Sequence, residues 1–574
     1  MKSNAALVRT VQTEAALIEV NLSRPRLVPP RALAQAARQA ASTESTPPMR
    51  RFLLALALTT PVPAAVQART VAVEEKSIDD LQALMASGKA SSVDLVRAYL
   101  KRIAAMDRKG PTLRSVIVTN PDVIAQAKAL DAERKAGRVR GPLHGVPILI
   151  KDNVETADRM ATTAGSLALA RNYTGRDAPV VAELRRAGAV ILGKTNLSEW
   201  ANIRSSRSMS GWSALGGLVR NPYALDRTAC GSSSGSGAAV AASFAAGAVG
   251  TETDGSVVCP ASINGLVGLK PTIGLVSRTH VVPISHSQDT PGPMTRSVRD
   301  AAAMLSAMVT VDPADPSTAG AAAYKKDYVA GLSASALSGL RVAVLRPAMS
   351  PDLTAAYAGA LDVLRAAGAE LVEAEMPRPD GVGAAEFTVL KTELKADLDA
   401  YLATTPPAVT TRTLEQVIAF NKANAAAEMP YFGQETFEDA LKTKGLRDPD
   451  YLAARARSLK GAGEAIDGVL ARARATVIVA PSYGAAWPSD PVHGDQYDGP
   501  SSSGLPAIAG YPNLTVPMGL VRGLPVGISF IATKYGDATV LGAGYAYEQR
   551  ARARVAPRYL PTADAGPGMD GVRR

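Results

Sequence analysis

The chain has 574 residues, 47% of them hydrophobic and 20% charged, the composition of a soluble globular protein with a large core available. Aromatic residues make up only 5%, so that core has to be built mostly from closely packed aliphatic side chains. Of the net charge of +11, +5 lies in residues 1–68 and +6 is spread over the remaining 506 without a basic run, which gives no case for a nucleic-acid partner.

In chain order, the first feature is the run MRRFLLALALTTPVPAAVQA at 49–68. Arg50 and Arg51 precede the apolar stretch 52–58, and Val66-Gln67-Ala68 offers small residues at a cleavage position, the form of a secretory signal peptide. Residues 1–48 are then expected to be a mis-called or disordered N-terminal extension, with translation starting at Met49; a short core helix in a leader is the alternative reading. The apolar stretch is too short for a bilayer of about 30 Å, and no other segment reaches the required length free of charge, so no membrane span is expected. An exported protein, periplasmic or secreted, is the corresponding expectation.

Residues 77–106 read as two amphipathic helices with Ser77 and Ser91 as N-caps, and 122–137 as a third. The run 144–152 is a short apolar strand ending in a lysine, 177–188 a helix, and 189–193 a strand. Strands alternating with helices argue for an α/β layered core. The stretch 238–248, small and apolar throughout, reads as a helix buried on all sides. Residues 298–330 and 350–475 are expected to be helix-rich, with a strand at 341–345 and late core strands at 476–480 and 513–517. The two cysteines, Cys230 and Cys259, lack zinc-ligand spacing, and His144, His280, His286 and His493 are scattered, so no metal is expected.

Ser256 stands between Gly255 and Val257-Val258 in the run GTETDGSVVCPASINGLVGLK at 250–270 and, taken alone, is either a turn residue or a nucleophile. A serine nucleophile needs a proton acceptor, a route to it and donors for an oxyanion. Other segments offer such parts: the loop Gly-Ser-Ser-Ser-Gly-Ser-Gly at 231–237, and Lys151 at the end of its apolar strand. The serine-rich loop alone could equally cradle a phosphate or make a tight turn. No Gly-Lys-Ser/Thr closes it as a Walker loop. Its G-x-S-x-G letters follow Arg227-Thr228-Ala229-Cys230 instead of an apolar strand, which argues against an α/β-hydrolase elbow.

Taken together and in order, Lys151-Asp152-Asn153, Cys230-Gly231-Ser232-Ser233-Ser234-Gly235-Ser236-Gly237 and Thr251-Glu252-Thr253-Asp254-Gly255-Ser256 resemble the amidase signature family. The text at 265–278, 509–518 and 523–527 is similar to the same family, and the resemblance runs from about 77 to about 550. Cys259-Pro260 after the nucleophile motif and Pro-Ile-Ser-His-Ser-Gln-Asp-Thr at 283–290 resemble its bacterial peptide amidase branch.

The resemblance implies one large α/β amidase-signature domain over 69–574, with a twisted mixed sheet covered by helices on both faces. It implies a Ser-Ser-Lys triad in which Ser256 attacks a carboxamide, Ser232 relays the proton and Lys151 is the base, with no cofactor and a small-molecule or peptide amide as substrate. Oxyanion donors would be the N–H groups of Thr253, Asp254, Gly255 and Ser256. Ser233 would support the relay, and Ala201, beside Trp200, would line the acyl pocket unless that stretch is only packing. Ser234 and Ser236 read as turn formers, and His286 has no part in this chemistry. On loops that must meet, Cys230 and Cys259 form a candidate disulfide, with free thiols as the alternative. Val257-Val258-Cys259 departs from the arginine that often follows the family's nucleophile.

The leading substrate reading is the C-terminal amide of a peptide, with release of ammonia. Secondary amides or carbamates are the alternative, and the glutamine-hydrolysing subunit of a tRNA-dependent amidotransferase is a third. A non-catalytic scaffold would have lost the triad residues, and a Ser-His-Asp hydrolase would require one of the four histidines.

Overall fold

The computed structural model describes residues 71–563, so the signal-peptide and N-terminal-extension readings fall outside the described residues. Eleven strands form one mixed sheet. In chain order they are β1 (Val116–Thr119), β2 (Pro147–Lys151), β3 (Val190–Thr195), β6 (Gly247–Glu252), β7 (Val267–Lys270), β8 (Thr290–Thr295), β9 (Arg341–Leu345), β10 (Glu370–Ala374), β11 (Val477–Pro481), β12 (Asn513–Val521) and β13 (Leu524–Ile531), while β4 (Trp212–Ser213) and β5 (Gly217–Leu218) pair apart as a small hairpin. Across the sheet the order is β1-β3-β2-β6-β8-β7-β12-β13-β11-β9-β10. β2 lies parallel to both β3 and β6, and β6 is antiparallel to β8.

Side chains alternate between the two faces of a strand, and here the alternation feeds two separate cores. Val342, Val344, Val477 and Val479 join Tyr357, Leu361 and Leu364 of the Pro351–Ala366 helix. Their neighbours Ala343, Leu345, Ile478 and Ala480 join Ile466, Val469 and Leu470 of the Pro449–Ala473 helix. Helices therefore cover both faces, as an α/β layered core requires. A smaller cluster gathers Leu394, Leu398 and Leu402 of the Val382–Ala403 helix with Trp200 and Phe437.

Ser77 and Ser91 cap the Ile78–Ala86 and Ser92–Met106 helices, each in a reciprocal capping box with the aspartate three residues on. The alanine-rich stretch differs from its sequence reading. Its helix is Ser234–Ala241, starting four residues before the expected run; the chain then turns, with Ser243 at φ 56°, and β6 begins at Gly247. A run in which every residue is small and apolar has no period to mark where a helix ends. Over 298–330 the only α-helix is Val298–Met308, followed by a 3-10 segment at Pro316–Tyr324. β1, β6, β7, β8, β10 and β13 went unread as strands. Among the described residues no helix is long and apolar enough to cross a membrane.

Candidate active site

Lys151 is the last residue of β2, a strand buried along its whole length. Its Nζ lies 2.8 Å from Ser232 Oγ, 2.8 Å from Thr251 Oγ1 and 3.2 Å from the carbonyl oxygen of Thr251 on the neighbouring β6. Thr251 Oγ1 also accepts from Asn153 Nδ2 at 3.0 Å. Burial pushes the Lys151 amine down from its usual value near 10.5 to about 7, against the charges of Asp289 and Glu252, which hold it up. Lys194, one strand over on β3, is also fully buried, but it lies 3.8 Å from the carboxylate of Asp152 and donates to Thr162 Oγ1 at 2.8 Å. No carboxylate lies within ion-pair distance of Lys151 among the described residues. A neutral Lys151 can donate its two N–H bonds to Thr251 and keep its lone pair for Ser232.

The serine-rich loop enters this site through a cis peptide bond between Gly231 and Ser232. Ser233 ties that loop to the next one. Its N–H donates to the Ser256 carbonyl at 3.2 Å, its hydroxyl donates to the Thr251 carbonyl at 3.1 Å, and it accepts from the Thr251 N–H at 3.2 Å. Ser234 donates to the Cys230 carbonyl, while Ser236 meets Thr195 Oγ1 at 2.8 Å; both lie in a helix and not in a turn. Cys230 and Cys259 are joined by a disulfide with Cα atoms 6.1 Å apart.

β6 ends at Glu252, and the segment Thr253–Ser256 turns sharply before the Val258–Ile263 helix. Gly255 has φ +76°, and a Cβ there would lie 2.4 Å from Tyr483 Oη, so neither the turn nor the space admits a side chain. Buried Glu252 accepts from the N–H groups of Val257 (2.7 Å) and Val258 (2.9 Å), pinning the far side of the turn. Among the described residues the N–H groups of Thr253, Asp254, Gly255 and Ser256 have no protein acceptor. Four backbone donors in one tight turn, left unpaired beside a serine that is 8% exposed, can receive an oxyanion.

Ala201 lines a small cavity with Asn153, Thr251, Thr253 and Asp289, whereas Trp200 is core, packed edge-on against Phe437. His286 lies beside the site, its Nδ1 2.9 Å from Asp397. His286, Glu393 and Asp397 bring ligand-type atoms within 4.8 Å of one another. Glu393, however, already accepts from Ser285, Ser287 and Tyr451, so hydrogen-bond donors occupy its carboxylate. His144 is buried against the Leu130 carbonyl, and His493 pairs with Asp490. Sequence alone assigns no individual role to Thr251, Asn153, Glu252, Gln288 or Asp289. All five stand within the motifs that carry the family resemblance, and only the folded contacts single them out.

A family model described as Amidase matches residues 94–541. Among curated relatives, a "probable amidase" of Arabidopsis thaliana is 36% identical over 528 residues, covering 89% of this chain and 97% of its own. One subunit of the glutamyl-tRNA(Gln) amidotransferase of Halorhodospira halophila is 34% identical over 493 residues, covering 83% of this chain and 97% of its own. The solved structure of native peptide amidase from Stenotrophomonas maltophilia superposes with a TM-score of 0.81 at 50% identity, covering 85% of this chain and 99% of that one.

Proposed function

The chain belongs to the amidase family, and on that premise we propose that it removes the C-terminal amide of peptides as ammonia through an acyl-serine intermediate. The observation that carries the catalytic reading is the fully buried amine of Lys151, lowered to about 7 and 2.8 Å from Ser232 Oγ. Near neutral pH a substantial share of that amine is unprotonated, and in that form it can accept the Ser232 proton while Ser232 takes the proton of Ser256. Ser256 Oγ then bonds to the amide carbonyl carbon. The oxygen becomes an anion facing the N–H groups of the 253–256 turn, which need no reorganisation to meet it. The relay runs back to protonate the departing nitrogen, the C–N bond breaks and ammonia leaves. Water, deprotonated along the same path, opens the ester and frees the acid.

The likeness at 50% identity to a structure called a peptide amidase supports the choice of substrate. The 34% identity to a component of glutamyl-tRNA(Gln) amidotransferase supports glutamine as a second substrate reading. Export is proposed from the signal-like run at 49–68, and a disulfide between Cys230 and Cys259 suits an oxidising compartment. An N-terminus at Arg69 in protein recovered from the producing cell's periplasm or medium would support that, and an intact Met49 there would refute it.

The deciding experiment measures ammonia from a peptide amide, from free glutamine and, as amine, from an anilide, using the parent, Ser256→Ala and Lys151→Ala. Ammonia from the peptide amide that both variants lose is the expected result. Cleavage of the anilide alone overturns the substrate, and turnover that persists in Ser256→Ala overturns the nucleophile.

A further inference from the structure

Asp289 is a buried carboxylate that the proposed chemistry does not use, and it lies directly across the sheet from the oxyanion turn. β6 and β8 pair Glu252 with Thr290, so the residues just beyond that pair, Thr253 and Asp289, face each other where the ladder ends. Thr253 Oγ1 donates to Asp289 Oδ1 at 2.6 Å. The other carboxylate oxygen accepts the N–H groups of Ile284 (2.8 Å) and Ser285 (3.0 Å). Gln288 repeats the link from its side chain, donating to the Thr253 carbonyl at 3.3 Å and to Glu386 at 2.9 Å. The loop that Asp289 closes is held in turn by one face of the Val382–Ala403 helix. Glu393 accepts from Ser285 and Ser287, and Asp397 accepts from the His286 N–H at 2.8 Å.

We propose that Asp289 is a positioning residue for this reaction. By holding the Thr253 hydroxyl on one side and the 284–285 backbone on the other, it fixes the aim of the N–H groups that follow Thr253, and it ties that aim to the helix covering the site. The inference rests on the site reading given under Proposed function. Nothing else holds the Thr253 side chain among the described residues, and a carboxylate with three donors converging on it is a rigid support. Electrostatics add a second consequence. The charged groups acting on this region include Lys151 on β2, Glu252 on β6 and Arg278 on the loop after β7, and Glu386, Glu393 and Asp397 stand on the helix packed against the 284–289 loop. Burial raises the Asp289 carboxyl to about 6, with Arg278 acting against it. Above that pH its negative charge is the leading influence holding the Lys151 amine up against burial, ahead of Glu252. The charge state of Asp289 therefore bears on how readily Lys151 gives up its proton.

The test uses the full chain with a peptide amide and measures kcat, KM and the pH profile of kcat/KM for Asp289→Asn, Thr253→Val and Thr253→Ser. For Asp289→Asn we expect kcat to fall about 10- to 100-fold with KM within about threefold, the pattern of mis-aimed donors. Its acid limb should move to lower pH, because a Lys151 without that neighbouring charge loses its proton more easily. A residue that only supports the fold would leave that limb in place. Thr253→Val should lose about tenfold in kcat without moving the limb, since the carboxylate remains, and Thr253→Ser should recover much of the loss. A folded Asp289→Asn with the parent's kcat and acid limb overturns the proposal. Should Asp289→Asn not fold, Thr253→Val decides: parental kcat there overturns it, and a loss recovered by Thr253→Ser sustains it. Ser256→Ala runs alongside; activity surviving in that variant would bring down the site reading itself, whereas an inactive Ser256→Ala with an indifferent Asp289→Asn removes only this inference.

Discussion

Around Lys151 the chain packs hydroxyls, amides and backbone against one another with no room to spare, whereas across 382–473 it packs amphipathic helices through aliphatic side chains. In the first region single atoms decide. A Cβ on Gly250 would lie 2.8 Å from Ser233 Oγ, and Thr251 meets Lys151, Asn153 and Ser233 within one residue's span. In the second, the Val382–Ala403 helix buries Leu394, Leu398 and Leu402 on a stripe that any aliphatic of similar size could supply. The contrast separates two ways a sequence can encode structure, by residue identity and by pattern, and it implies that damage in the two regions registers in different measurements.

The largest expected effect is on chemistry alone. Ser256→Ala and Lys151→Ala should each cost about ten-thousand-fold or more in kcat while leaving the melting midpoint near the parent's, measured on purified protein by amide turnover and thermal unfolding. A midpoint that collapses with activity would mean that the polar region supports the fold as well, and the contrast would break. Gly255→Ala tests the same region through backbone shape. With φ at +76° and Tyr483 Oη in the way, the turn has to shift, and kcat should fall about a hundredfold. The helical region should answer the other way. Leu398→Ala, at a fully buried position, should lower stability by about 3 kcal/mol in denaturant unfolding while the folded fraction keeps kcat within about twofold. The smallest effect sharpens the polar side. With Lys151 lowered to about 7, kcat/KM should be half-maximal near pH 7, falling below it as the amine takes up its proton and levelling above. An acid limb beyond pH 9 would place the base elsewhere.

The same contrast explains what could be read from the letters. Ser77 and Ser91 were legible as caps because a capping box is local, its partner three residues away. Lys151 was legible because a lysine closing an all-apolar strand has few places to go. Ser232 and Ser256 became candidates only through family resemblance, since a serine in a glycine-rich turn says little alone. Asp289 was not, because its partner Thr253 is 36 residues away and only the β6–β8 ladder brings them together. The alanine-rich helix was misplaced because its core contacts demand smallness at every position, which erases the period that marks a boundary. Trp200 was undecidable between pocket and core until Phe437, from a distant helix, was seen against it.

The disulfide between Cys230 and Cys259 closes a covalent ring that contains Ser232 and Ser256, and Lys151 lies outside it. The two serines are thus linked by topology, while their proposed base belongs to a strand that joins them only by pairing with β6. A chain in which the ring has formed but the sheet has not carries both hydroxyls and no acceptor for their protons. On the proposed chemistry, activity is then a property of the assembled sheet: a partly folded chain would hold its serines in reserve until β2 and β6 come together.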